Sequence, residues 1–229
     1  MPCNLRTIIL QMFLCMIPVT AIEASVINGS FDSPGLPPGQ EDRGLGLNES
    51  SFITGWLIVP GYDGTYSGGV EYVHGFSQDD GGYSVELGAY FGINGIEQAF
   101  ASLPGQQYLV TFWLVTDPFN GPPARLRASA GGTTADFLAA PGTGNGENPG
   151  WQEESFFFTS DGSGSTTLLF ENLPEGSTPT IPAIDTITVT AVPEPSSIPI
   201  IVLAITAFLM RKDDAKLGDR PGYRRDLRI

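Results

Sequence analysis

Gln107-Tyr108-Leu109-Val110-Thr111-Phe112-Trp113-Leu114-Val115-Thr116 is the strongest strand signal in the chain. Successive side chains of an extended segment point to opposite faces, so Tyr108, Val110, Phe112 and Leu114 share one face and Leu109, Trp113 and Val115 the other. The first set reads as core. The second implies either a strand buried on both sides or an aromatic platform beside a binding groove. Pro104-Gly105, just ahead, suits a type II turn, with proline setting the first central φ and glycine accepting a positive φ at the second.

Outward from this stretch the same pattern recurs. Short apolar alternations are separated by Gly, Pro, Asn and Asp, and no segment of the central region shows a 3.6-residue apolar period. Strands are predicted over 52–60, 70–75, 83–87, 96–101, 107–116, 124–130, 152–159, 166–172 and 184–192. Phe156 with Phe158, Leu168 with Phe170, and Ile187 with Val189 complete the expected core. Nine short strands without helices predict an all-β fold, a jelly-roll β-sandwich, because each sheet must bury one face against another. Residues 33–51 and 140–150 read as long loops, and 60–69 as a third that carries Tyr62 and Tyr66. Trp56 and Trp151 are expected to be structural.

The two ends read as transport information. Residues 1–24 begin with a single positive charge, continue through a largely apolar run at 7–19 and reach small residues at Ala21, Ala24 and Ser25, the form of a secretory signal peptide. Cleavage is expected after Ala24, with Ala21 as the alternative. At the other end, two prolines in Val192-Pro193-Glu194-Pro195 deny backbone donors to a ladder, so the folded domain ends about there. The apolar run 198–210 follows and stops at Arg211-Lys212. As a short hydrophobic helix its thirteen residues span about 20 Å, less than a hydrocarbon core of about 30 Å. The organisation is therefore a signal peptide at 1–24, a β-sandwich domain at 25–191, a sorting and anchor segment at 192–212 and a charged tail at 213–229.

Composition removes several classes of function. Cys3 and Cys15 both lie in the signal peptide, so the exported domain has no thiol for a disulfide or a Cys-ligated metal. His74, the one histidine, reads as a solvated strand residue. Between residues 26 and 192 nineteen Asp plus Glu face three arginines and no lysine, a net charge of −16. Nucleic acid and other polyanions are repelled, while divalent cations and neutral glycans remain open. Beyond Met210 seven Lys plus Arg face four Asp, which places the tail on the cytoplasmic side and the domain outside.

The turn, apolar run and basic stop, in that order, resemble the PEP-CTERM signal of Gram-negative bacteria that secrete exopolysaccharide. The resemblance implies recognition of Val192, Pro193, Glu194, Pro195, Arg211 and Lys212 by an exosortase-type membrane protease and delivery to the cell envelope or surface. Within the domain, Asn28-Gly29-Ser30-Phe31-Asp32, Gly55-Trp56, Tyr83-Ser84-Val85-Glu86-Leu87, Pro104-Gly105 leading to Thr111-Phe112, Phe156-Phe157-Phe158-Thr159 and Ile184-Asp185-Thr186-Ile187 appear in sequence. Taken together they resemble the galactose-binding-like jelly rolls of choice-of-anchor C proteins, plant cell-wall proteins and some carbohydrate-binding modules. That resemblance implies a structural calcium ion held by Asn28, Asp32 and Asp185, where the opening motif meets the last strand.

Three function classes follow. A non-catalytic surface protein would engage neutral polysaccharide through flat rings, for which Tyr62, Tyr66, Tyr72, Tyr90 and Trp113 are the candidates. A glycoside hydrolase would need two spaced carboxylates. The adjacent pairs Asp79-Asp80 and Glu153-Glu154 point to opposite strand faces and read as solvated charge, so no catalytic residue is assigned. A purely structural surface protein needs no ligand beyond ions and neighbouring chains.

Overall fold

The computed structural model describes residues 25–61, 69–78, 82–88, 94–117, 122–141, 150–173 and 180–193. The chain divides into Met1–Val192 and Pro193–Ile229, and only Pro193 of the second unit is among the described residues. The signal peptide and the apolar run both lie outside them.

Eleven strands are present: β1 (Asp42–Leu45), β2 (Leu57–Pro60), β3 (Val70–His74), β4 (Tyr83–Glu86), β5 (Asn94–Ala101), β6 (Gln107–Thr116), β7 (Arg125–Ala130), β8 (Thr133–Leu138), β9 (Gln152–Thr159), β10 (Ser165–Leu173) and β11 (Pro182–Ala191). They form two antiparallel sheets, β1-β3-β4-β11-β6-β9 and β2-β5-β10-β7-β8, the two layers of a jelly-roll sandwich. All nine expected strands exist, and β6 and β9 have the expected bounds. Two more strands, β1 and β8, are not among the expected nine. β1 and a 3-10 turn at Leu47–Glu49 break the supposed loop 33–51, and β8 pairs with β7 through a Gly131-Gly132 hairpin. The first predicted strand is shorter than expected, because Gly55 turns the chain at φ 85° and only Leu57–Pro60 is extended.

The core sits between the sheets. Tyr108, Val110, Phe112 and Leu114 are fully buried, as are Trp56, Phe31 and Phe170. Trp56 lies 5.5 Å from Phe31 and 6.3 Å from Phe170, centroid to centroid, and its indole N–H donates to the Asn28 carbonyl. Burying such a ring contributes about 4–6 kcal/mol by area before entropy is subtracted. The Pro104-Gly105 turn forms as expected, with Gly105 at φ 71° and the Gln106 amide donating to Leu103. The opening motif docks on β11: Ile187 N–H donates to the Gly29 carbonyl at 2.9 Å, and a Cβ on Gly29 would lie 2.0 Å from the Ile187 oxygen. Only glycine fits there. A bulge in β11 between Asp185 and Thr188, with Thr186 at φ 48°, lets both Asp185 and Thr188 face away from the core.

Candidate functional site

The outer face of the six-stranded sheet is built from the residues that alternate with the core set. Register places them in rows. Trp113 on β6 stands between Asp185 on β11 and Glu153 on β9; Thr111 stands between Thr188 and Ser155; Leu109 stands between Thr190 and Phe157. Thr111 and Thr188 share a hydroxyl hydrogen bond of 2.7 Å. Trp113 and Leu109 are half-buried, and Phe157 is 53% exposed. This half of the face is open, with apolar surface at both ends and hydroxyls between. Among the described residues it carries no cation, and Glu153 is its one exposed carboxylate.

The other half is closed. Phe76, just after β3, packs on Val115 and Ala183, and Trp151 lies against it at 5.4 Å between ring centroids. The Gln78 amide donates to the Asp185 carboxylate at 2.7 Å, and the Thr186 amide donates to the other oxygen at 2.6 Å. The outer face of β3 and β4 also carries carboxyl groups. Glu71 and Glu86 are directly opposite across β3 and β4, and Glu86 is 7% exposed. Burial first, then the charges of Asp117, Glu71 and Asp42, push the Glu86 carboxyl up to about 9. Burial and the neighbours Asp42 and Asp117 also raise Glu71. Ser84, on the same face of β4 as Glu86, is fully buried with its hydroxyl unpartnered, and the Trp151 indole nitrogen is buried without a partner as well. A neutral Glu86 can both donate and accept hydrogen bonds at pH 7.

The residues singled out from the sequence are distributed as follows. Trp113 is on the outer face and half-buried, while Val115 on the same face is buried with Phe76. Tyr72 must be corrected. Its ring is fully buried on the inner face, stacked on Tyr83 at 4.8 Å, and its hydroxyl donates to the Phe31 carbonyl, so it is a core residue and no sugar platform. Tyr62, Tyr66 and Tyr90 lie outside the described residues, as do Asp79 and Asp80. Glu153 and Glu154 stand beside Trp113 and Phe112 respectively, on opposite faces. His74 is exposed and lies 4.8 Å from the Tyr83 ring.

Asn28 closes the opening turn, donating to the Ser33 and Thr54 carbonyls and accepting from the Ser33 amide. Asp32 is exposed and accepts from the Ser30 hydroxyl, while Asp185 is buried as described. Among the described residues no group of three or more His, Cys, Asp or Glu side chains is placed to hold a metal. Of the sorting motif, Val192 is tied to the domain by its amide to the Gln107 carbonyl and its carbonyl to the Gln106 amide, and Pro193 is exposed. Glu194, Pro195, Arg211 and Lys212 lie outside the described residues. Among the described residues no helix is long and apolar enough to cross a membrane.

Sequence reasoning missed Glu71, Glu86, Phe76 and Phe157 as parts of one face and took Trp151 only as a structural residue. The alternation of β4 and β9 assigns a face to Glu86 and Phe157, but only the pairing of β3 with β4 brings the two carboxyls together.

Solved structures of similar fold include one titled "CBM4 structure and function", at 17% identity and a TM-score of 0.42, covering 73% of this chain and all of that one. TmCBM61 in complex with β-1,4-galactotriose is 16% identical with a TM-score of 0.42, covering 73% of this chain and 99% of that one. The CBM22-1 xylan-binding domain of Xyn10C from Paenibacillus barcinonensis is 14% identical with a TM-score of 0.40, covering 67% and 94%. At such scores none of them transfers a ligand or a residue role to this chain. No curated protein matches it. The family assignment comes instead from the sequence model that spans nearly the whole sandwich, residues 24–190, and by it the chain belongs to the family described as "protein of unknown function (DUF642)".

Proposed function

We propose that this is an exported, non-catalytic surface domain that binds neutral polysaccharide on the open half of the outer face. The observation that carries the reading is the row arrangement there. Trp113 at one end and Leu109 with Phe157 at the other offer apolar surface to pyranose faces, and Thr111, Thr188 and Ser155 supply hydroxyl contacts between them. A domain at −16 repels acidic polymers, so the ligand is a neutral one. A glycan array probed with the mature domain tests this, together with Trp113→Ala. Binding to neutral glycans that the substitution weakens supports it. No binding to any glycan leaves the purely structural surface role.

Glycan hydrolysis is the second reading, and the Glu71–Glu86 pair favours it. Directly opposed strand residues have Cβ atoms about 5 Å apart, and one neutral acid beside another carboxyl is a hydrolytic arrangement. Against it, Glu86 lies almost wholly covered, with Phe76 packed on the same face. Release of reducing ends from neutral glycans, abolished by Glu86→Gln, would overturn the non-catalytic reading.

Export and sorting rest on the tail sequence. An exosortase-type protease would read Pro193-Glu194-Pro195, with the apolar run and Arg211-Lys212 holding the chain in the membrane meanwhile. A variant lacking residues 192–229 should be lost from the surface. Equal retention of that variant and the full-length protein would sink the sorting proposal.

A further inference from the structure

We propose that the open half of the outer face is blind at one end and therefore takes the terminus of a neutral glycan chain, with about three sugar units laid along β6 from Trp113 toward Leu109 and Phe157. This rests on the binding reading above and adds which part of the chain is bound.

The two ends of the face differ. At the C-terminal end of β6 it is covered across three strands: Phe76 packs on Ala183 of β11 and Val115 of β6, and the ring of Trp151, the residue before β9, lies 5.4 Å from it between centroids. Val115 is the next outward residue after Trp113, so the cover begins where the Trp113 row ends. The strap Phe76–Gln78 is tied down there, because the Gln78 amide donates at 2.7 Å to the carboxylate of Asp185, the residue opposite Trp113. At the other end nothing comparable stands among the described residues. Beyond Leu109 and Phe157 the next outward pair is Gln107 and Thr159, both exposed.

The apolar surface is arranged along the strand rather than across it. Trp113 and Leu109 are separated by about 13 Å of extended chain, the length of about three pyranose units joined end to end. Phe157, 53% exposed, stands opposite Leu109, and the hydroxyls of Thr111, Thr188 and Ser155 fill the row between. Across the strands the Trp113 row leads on one side to Asp185, held by Gln78, so the strap bars that direction too. A chain seated on Trp113 stops there, since its next unit would need the place of the Phe76 ring. Glu153, exposed and opposite Trp113, can accept from the hydroxyl that a terminal unit keeps and an internal unit has spent in its glycosidic bond.

Counting ends tests this. Galactan, linear xylan and glucomannan, each intact and after mild acid has cut its chains about tenfold, should be titrated against the mature protein and compared at equal mass. The cut samples carry about ten times as many ends, so half-saturation should need about ten times less mass of them. A midpoint by mass that cutting leaves unchanged overturns the chain-end proposal while the binding reading stands. No binding to any sample, cut or intact, sinks both. Phe76→Ala opens the blind end, and its midpoint by mass should no longer depend on cutting. Glu153→Gln, an exposed substitution on an edge strand, should weaken binding of the cut samples about tenfold, and binding equal to the wild type would overturn the assignment of the terminus to the Trp113 row. Linear oligosaccharides of about two to six units, cut from whichever glycan binds, should gain affinity as far as the trisaccharide and little beyond it. A gain that continues along the whole series contradicts the span from Trp113 to Phe157 and overturns the proposal as well.

Discussion

The two faces of β6 hold nearly the same number of apolar side chains and use them differently. Tyr108, Val110, Phe112 and Leu114 are all fully buried between the sheets. On the other face Leu109 and Trp113 are half-buried, Thr111 separates them, and only Val115 is sealed, by Phe76. The inner face is held to close packing, where a lost methylene leaves a void. The outer face is held to accessibility, with carboxyls and hydroxyls tolerated at the cost of unpartnered atoms. Stability and recognition are thus divided between alternate residues of one strand, so substitutions one residue apart should separate them.

The largest effect belongs to the inner face. Phe112→Ala removes a ring that contacts Phe137 at 5.1 Å and Phe170 at 5.0 Å between centroids, and should cost about 3–5 kcal/mol in denaturant unfolding. A cost under about 1 kcal/mol would mean that the sandwich can collapse onto the cavity and that the two faces are not distinguished as argued. Next comes Glu86→Gln, whose effect depends on pH. Because the wild-type carboxyl is raised by burial and by Asp117, its proton stabilises the fold below the ordinary carboxylate range and this support declines toward pH 9. One proton changes stability by at most about 1.4 kcal/mol per pH unit, so the variant should gain at most about 4 kcal/mol on the wild type between pH 5 and pH 8. Parallel stability curves would show that the outer face carries no titrating strain. Third is Trp113→Ala, which should weaken neutral-glycan binding about tenfold, equivalent to about 1.4 kcal/mol, while unfolding stability changes by about 1 kcal/mol or less. A stability loss as large as that of Phe112→Ala would make Trp113 a second core residue.

How much of this was readable from sequence differs between the faces for the same physical reason. The inner face alternates cleanly through Tyr108, Val110, Phe112 and Leu114 on β6, Phe156 and Phe158 on β9, Leu168 and Phe170 on β10, and Ile187 and Val189 on β11, and the strands containing them match the expected bounds almost to the residue. β1 escaped notice because Asp42-Arg43-Gly44-Leu45 offers a single fully buried residue, Leu45, and its place at a sheet edge asks for no more. β8 was missed although its signal was present: Gly131 and Gly132, at φ 54° and 77°, are the two left-handed residues of a type I′ hairpin turn. Tyr72 misled because its phenol looks suited to a surface, yet its hydroxyl finds a carbonyl inside the core. The Glu71–Glu86 pair could not be read at all. Each looks like an ordinary polar strand position, and only the register of β3 on β4 puts the two carboxyls together.

The smallest expected effect concerns the corner where the opening motif meets β11, which contrasts with both faces in joining a net of hydrogen bonds to a single buried ring, Phe31. Calcium at Asn28, Asp32 and Asp185 is proposed there from the family resemblance. An ion would have to draw mainly on Asp32, whose carboxylate is exposed and accepts only the Ser30 hydroxyl among the hydrogen bonds of the described residues. Asn28 Oδ1 already accepts the Ser33 amide, and the two Asp185 oxygens accept the Gln78 and Thr186 amides. Backbone carbonyls would need to supply most of the six to eight oxygens, and a site with so little charge belongs with weak extracellular modules, Kd about 1 mM. Binding only to the folded state at about 5 mM calcium then stabilises by about 1 kcal/mol. For a domain of this size that is a rise in Tm of about 2–4 °C over the same protein in chelator. Asp32→Asn should abolish the rise while leaving the Tm in chelator unchanged, because the amide oxygen still accepts from Ser30. Superimposable melts with calcium and with chelator would eliminate the ion. A rise that survives Asp32→Asn would show that the ion binds elsewhere and would eliminate the site at this corner.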